Sequence, residues 1–198
     1  MSETVTFQKF LNAIAADNDD QTEQVVTELA PTDEAALLTL LQAPDANQRW
    51  WAARALAHCG TDAAVPGLVT ALSDEDHTLR AAAALALGHL YTRAPDAVRP
   101  VLEQVATKLT DKDGVVRQTV ADALALCGND AVPALAQILQ GTHEGARTRA
   151  AYALRKIATM KAAGVLYPCL NDTNYLVHMY AYEGLDEMGL LENILVVV

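Results

Sequence analysis

The chain has 198 residues, 52% of them hydrophobic but only 5% aromatic, and a net charge of −11 at pH 7. That length suits one sizeable domain, and burial falls to alanine, leucine and valine, the side chains of closely packed helices. The acids crowd the ends: residues 1–48 carry −8, residues 49–171 carry +2 and the remainder −5, leaving no basic stripe for phosphate and arguing against nucleic acid.

The first 31 residues read as a capping hairpin, with helices over Thr4–Ala15 and Gln21–Leu29. Phe7, Phe10, Leu11 and Ile14 share one side of the first helix, and the polar Asp17–Asp20 turn is expected to face water. Nothing at this end has the charged and apolar pattern of a signal peptide, and no apolar run approaches ~18 residues. No membrane contact is expected, and the chain reads as cytoplasmic.

From residue 33 to residue 190 the sequence repeats itself five times. Aligned on one position, the lines begin at Arg49, Arg80, Arg117, Arg147 and His178, at spacings of 31, 37, 30 and 31. Counting that residue as position 0, positions 3 and 4 are mostly small, as in Ala52/Ala53, Ala83/Ala84 and Ala150/Ala151, and position 7 is always leucine. Spacings of 3, 4 and 7 place these side chains on one helical face. An apolar helix precedes each line, over 34–42, 65–72, 101–109, 132–139 and 162–170. Pro66, Pro100 and Pro133 stand near the start of three of these, where a missing N–H costs nothing. Pro168 lies inside the last and should kink or shorten it.

The spacing of 37 holds an insertion at 91–99, which Pro95 and Pro100 mark as an extended loop. Asp45, Asp76 and Asp113 stand four residues before the register arginine, where an aspartate caps a helix for about 1 kcal/mol. His143 and Asn174 take that place in the last two repeats, which should be less firmly capped. The arginines then read as structural, paired with acids of their own or the next turn. Cys59, Cys127 and Cys169 read as free buried thiols. The segment 191–198 ends the chain in an apolar tail (LLENILVVV from Leu190), expected to fold back over the last hairpin. A docking tag is the other reading.

The turn aspartate, the arginine four residues later, the paired small residues and the leucine (DANQRWWAARALAHCG, DGVVRQTVADALALCG) resemble the HEAT repeat, in particular the short bacterial variety of the phycobilin lyases. The resemblance covers about residues 33–190. It implies an all-α fold, a right-handed α-α solenoid of about six hairpins forming a single domain over 1–198. It also implies that the second helix of each hairpin lines the concave side.

With positions 0, 3, 4, 6 and 7 internal, positions 1, 2, 5 and 9 then face the groove. That face carries Trp50, Trp51, Arg54 and His58, then Leu85 and His89, then Asp122, then Arg149, Tyr152 and Lys156, then Met179, Tyr180 and Glu183. Aromatic residues, Met and Arg are the types enriched where proteins bury partners. The groove therefore reads as a binding site for another protein or a peptide segment, with self-association a further possibility. In the alternative reading, one or both tryptophans pack under the N-terminal hairpin and fill volume the alanines leave.

Catalytic and metal motifs are absent: HExxH, CxxC, GxSxG and P-loop patterns do not occur. One enzyme branch of the HEAT family, deoxyhypusine hydroxylase, holds two irons through His-Glu pairs. The single His143-Glu144 pair here sits in a turn and cannot make that site. DNA glycosylases of similar architecture need a basic concave face, which Asp122, Glu183 and Glu187 deny. The expectation is a scaffold without catalytic activity, cofactor or metal. A second class of function is a lyase or chaperone subunit holding a linear tetrapyrrole, with Arg54 or Arg149 on its propionates.

Overall fold

The computed structural model describes residues 4–191, and every regular element among them is helical. The chain forms two compact units, Met1–Val98 and Arg99–Val198.

In the first unit, α1 (Val5–Ala15) and α2 (Asp19–Val26) form the N-terminal hairpin. Phe7, Phe10, Ala13 and Ile14 are buried, while Leu11 stays half-exposed and residues 17–20 lie in water. The hairpin packs on α4 (Ala46–Cys59), the partner of α3 (Glu34–Leu40). Helix α5 (Val65–Ala71) pairs with α6 (His77–Tyr91), and α6 lies along α4.

The insertion is not an extended loop. Helix α6 runs through Tyr91, and α7 (Pro95–Val98) follows almost at once, because Pro95 opens a helix as readily as it ends one. Arg93 ties this segment back by donating to the carbonyls of Ala57 at 3.0 Å and Gly60 at 3.3 Å, at the C-terminal end of α4.

The second unit stacks α8 (Leu102–Thr107) with α9 (Gly114–Leu126), α10 (Val132–Leu139) with α11 (Glu144–Ile157), and α12 (Met160–Leu166) with α13 (Tyr175–Glu187). Helix α12 stops at Leu166, and the chain continues as a tighter 3-10 turn over Tyr167–Asn171, the shortening that Pro168 imposes.

The repeat register explains the core. Leu56, Leu87, Leu124, Leu154 and Leu185 are all buried, as are the small residues at positions 3 and 6 of every repeat. Alanine pairs leave little side chain between helices, so backbones approach closely and the leucines interdigitate. Tyr182 departs from this pattern. It holds position 4 of the last repeat and is 52% exposed, with no later hairpin among the described residues to cover it. The expected cover, the tail at 192–198, lies outside the described residues.

The turns between helices are held by a polar device. Asp45, Asp76 and Asp113 cap their helices as expected. His143 Nδ1 and Asn174 Oδ1 also cap, accepting from Ala146 N and from Leu176 N and Val177 N, so the last two helices are not left bare. Arg49, Arg80 and Arg117 each fold back to donate to two carbonyls that close the preceding helix turn. Arg49 then reaches Asp74 of the next repeat at 3.1 Å, and Arg147 reaches Asp172 in the same way.

Asp74, Asp111 and Asp172 stand six residues before their own register position. Each accepts its own turn's N–H, from Asp76, Asp113 and Asn174 respectively. Asp74 and Asp172 thus join a turn to its neighbour. In the fourth repeat that place is Gly141, and Arg117 has no ion-pair partner among the described residues.

Candidate partner-binding face

On the second helix of each hairpin, burial of positions 3, 6 and 7, and of position 4 in the first four repeats, turns positions 1, 2, 5 and 9 the other way. The exposure is graded. Position 5 is half-buried in all five repeats (Arg54, Leu85, Asp122, Tyr152, Glu183), and position 9 is exposed in all five (His58, His89, Leu126, Lys156, Glu187). Positions 1 and 2, nearer the helix start, are more enclosed: Trp50, Arg149, Met179 and Tyr180 are half-buried, but Trp51, Ala81 and Thr148 are buried.

Trp51 corrects one expectation. It is only 4% exposed and is not offered to a partner as an open anchor. Its ring meets that of Trp50 edge to face, with centroids 4.8 Å apart. The pair lines a depression of about 680 Å³ where α2, α4 and the start of α6 come together. Trp51 takes the packing role and Trp50 keeps a half-open surface.

In the first unit the face is set by Arg54, whose guanidinium pairs with Glu23 of α2. His89 is held below its ordinary pKa of 6.5 by partial burial and by the nearby cations Arg54 and Arg93, so its imidazole is neutral at pH 7.

In the second unit the face is a connected network. Asp122 Oδ1 accepts from the Tyr152 hydroxyl at 3.0 Å and from Lys156 Nζ at 2.7 Å, while its Oδ2 accepts from Gln118 at 3.0 Å. Burial pushes the Asp122 carboxyl up, but these three hydrogen bonds and the lysine charge hold it below the ordinary carboxylate value. The hydrogen bond to Asp122 raises Lys156 in turn, against a smaller opposing effect of burial. Tyr152 also meets Tyr180 edge to face at 5.6 Å, and Lys156 lies 5.4 Å from the Tyr152 ring centroid.

One turn further along, Arg155 grips both acids of α13, Glu183 at 2.9 Å and Glu187. Gly184 makes room for it: an added Cβ there would stand 3.2 Å from the arginine stem and 3.0 Å from Leu166. Lys156 neutralises Asp122, Arg155 offsets one of the two charges on Glu183 and Glu187, and Arg149 is left without an ion-pair partner among the described residues.

Glu23 and Arg155 were not singled out from the sequence as site residues. The available signal was the period itself. Arg54 and Glu23 lie 31 residues apart, Tyr152 and Asp122 30, and Arg155 and Glu187 32, so each link joins neighbouring hairpins at nearly equivalent places.

Among the described residues, no three His, Cys, Asp or Glu side chains gather as a metal site. The three cysteines are free and buried, and burial pushes Cys59 up to about 11 and Cys127 up to about 12, so neither thiol ionises at neutral pH. No helix among the described residues is long and apolar enough to cross a membrane.

Stacked hairpins with a leucine column define a helical-repeat protein. The sequence matches the HEAT-repeat family over residues 34–108 and 102–186, and the chain belongs to that family. A comparison with curated proteins returns no match. Among solved structures, the YibA protein of Escherichia coli is 17% identical with a TM-score of 0.60, matching 98% of this chain and 80% of that one. An engineered protein is 23% identical with a TM-score of 0.50, matching 92% of this chain and 96% of that one. The CpcE–CpcF complex of phycocyanin lyase from Nostoc is 22% identical over 97% of this chain and 80% of that one, with a TM-score of 0.49. At these identities the likeness is one of fold.

Proposed function

We propose that the chain is a non-catalytic interaction module that holds a segment of another protein against the second-helix faces of its repeats. One observation carries this reading. Positions 5 and 9 recur as a half-buried and an exposed column, and links between neighbouring hairpins hold many of their side chains in place. A surface fixed before binding loses little side-chain entropy when a partner arrives. Trp50, Tyr152, Tyr180 and Met179 supply the apolar contact typical of interface centres, and Arg54, Arg149 and Lys156 supply the polar rim.

Site-specific photocrosslinkers test the reading. Placed at Leu126 and Lys156 on the face, they should capture a partner polypeptide. Placed at Gln104 and Gln137, exposed on the first helices, they should not. Met179→Ala/Tyr180→Ala should weaken that partner at least tenfold, an anchor truncation of about 2 kcal/mol, at unchanged helicity. Crosslinks confined to the first helices would sink the proposal.

A further inference from the structure

The depression beside the tryptophans has a chemistry of its own. Its lining comes from α2 (Asp19, Asp20, Glu23), from the first turns of α4 (Ala46, Asn47, Trp50, Trp51) and from the start of α6 (Asp76, Thr78). Four of these residues are acids and none is basic.

The acids are not equally committed. Glu23 is paired with Arg54. Asp76 accepts from Thr78 N and Oγ1, both at 2.7 Å, and has His77 Nδ1 at 4.0 Å. Asp19 and Asp20 are exposed and have no ion-pair partner among the described residues. They lie in the first turn of α2, just past its cap Asn18, so they also favour the helix dipole.

A second observation is independent of the acids. Trp51 is buried, yet its indole N–H has no acceptor among the described residues, and it is not among the polar atoms sealed from the surface. The N–H thus keeps a route to the surface and is free to donate to the oxygen of a ligand. It lines the same depression.

The two sets of groups ask for different things. Unpaired carboxylates beside a half-buried indole suit a cation, through charge and through the ring quadrupole. The indole N–H asks for a carbonyl oxygen. A lysine or arginine within a polypeptide offers both within one residue's reach, whereas a free polyamine offers only the cation. We infer that this depression takes a basic side chain of a partner's segment, seated between Asp19, Asp20 and Trp50, with a carbonyl of that segment accepting from Trp51. The inference rests on the proposed function only for the partner's class, a protein segment.

Both tryptophans of the chain line the depression, so tryptophan emission reports on this place alone. The experiment titrates the full chain with a Lys/Arg-rich peptide, the same peptide with Gln at every basic position, and spermine. The expected result is a saturable emission change with the basic peptide only, weakening as salt is added. Asp19→Asn/Asp20→Asn, which keeps the Asn18 cap, should weaken it at least tenfold at unchanged far-UV circular dichroism. Trp50→Phe, read by calorimetry, should weaken it less.

An equal response to the Gln peptide, binding of spermine as tight as the peptide, or an unaffected Asn variant would each overturn the proposal. If no basic peptide binds while crosslinkers at Leu126 and Lys156 still capture a partner, this inference falls and the face reading stands. If the basic peptide binds but crosslinks form only on the first helices, the face reading falls and the depression stands by itself.

Discussion

Helix α11 has a neighbour on each side within the second unit, and the two junctions are built differently. Toward α13 it is held by the part-buried Arg147–Asp172 pair and by Arg155 on Glu183 and Glu187, with Gly184 letting the arginine stem pass. Toward α9 the second-helix face is tied by Asp122 to Tyr152 and Lys156, but the turn link is missing, because Gly141 stands where its counterparts carry Asp111 and Asp172. The apolar packing is the same at both, with small residues at position 3 and leucine at position 7 fully buried. The leucines and alanines make the stack. A single acid six residues before the arginine decides whether a turn is also clasped to its neighbour.

The largest effect should come from what both junctions share. Leu154→Ala removes a fully buried side chain from the helix that packs on both neighbours, and an expected loss of about 3 kcal/mol should appear in urea unfolding. Next is the clasp. Asp172→Ala leaves the Arg147 guanidinium, whose side chain is 20% exposed, without its carboxylate and also strips Asn174 N of its acceptor. Arg147 Nε is already buried without a partner, so the pair's net worth is reduced. A loss of roughly 2 kcal/mol is expected, below that for a wholly buried pair. Loosened hydrogen-exchange protection should be confined to α12 and α13.

The converse substitution sharpens the contrast. Gly141→Asp should give Arg117 the carboxylate partner it lacks and hold His143 N as Asp74 holds Asp76 N. The new Cβ would stand 3.2 Å from the Ile138 carbonyl, a contact requiring a slight shift. A gain of about 1 kcal/mol in unfolding free energy is expected, and it should vanish in an Arg117→Gln background.

The smallest effect is one of pH. The Asp122 carboxyl sits below its ordinary value in the folded chain, so the unfolded state binds its proton first as the solution is acidified. Its contribution is full above the unfolded carboxylate value of about 4 and is lost as pH falls through the lower, folded one. The side chain is a third exposed, which keeps the difference under about 1 kcal/mol. Asp122→Asn should flatten this part of the acid-unfolding curve.

Much of this arrangement was legible in the sequence. The leucine at position 7, the small residues at positions 3 and 6 and the capping aspartates recur at fixed spacing, and burial follows period. The clasp was visible but not read: Asp74, Asp111 and Asp172 share a place as regularly as the caps do, two residues further from the arginine. Trp51 was left open between packing and partner contact for a different reason. Its own helix turns it toward the face, and only the approach of α2 and the start of α6 encloses it. A long-range contact leaves no mark on local periodicity. The insertion misled because Pro95 serves equally to close a loop and to open a helix.

The clasp between turns points one way along the chain. In both Arg49–Asp74 and Arg147–Asp172 the arginine reaches forward to the aspartate of the repeat that follows, so such a repeat has a hand at its register position and its successor a handle six residues before its own. A repeat is therefore not a symmetric brick. A tandem duplication of 142–171 would place Asn171 six residues before the second copy's arginine and leave the first copy's Arg147 without its handle. Cut after 172, the copy stays linked to its successor. Where gene duplication or an engineer breaks this chain thus decides whether the new array is clasped throughout or carries an open link, as it already does at Gly141.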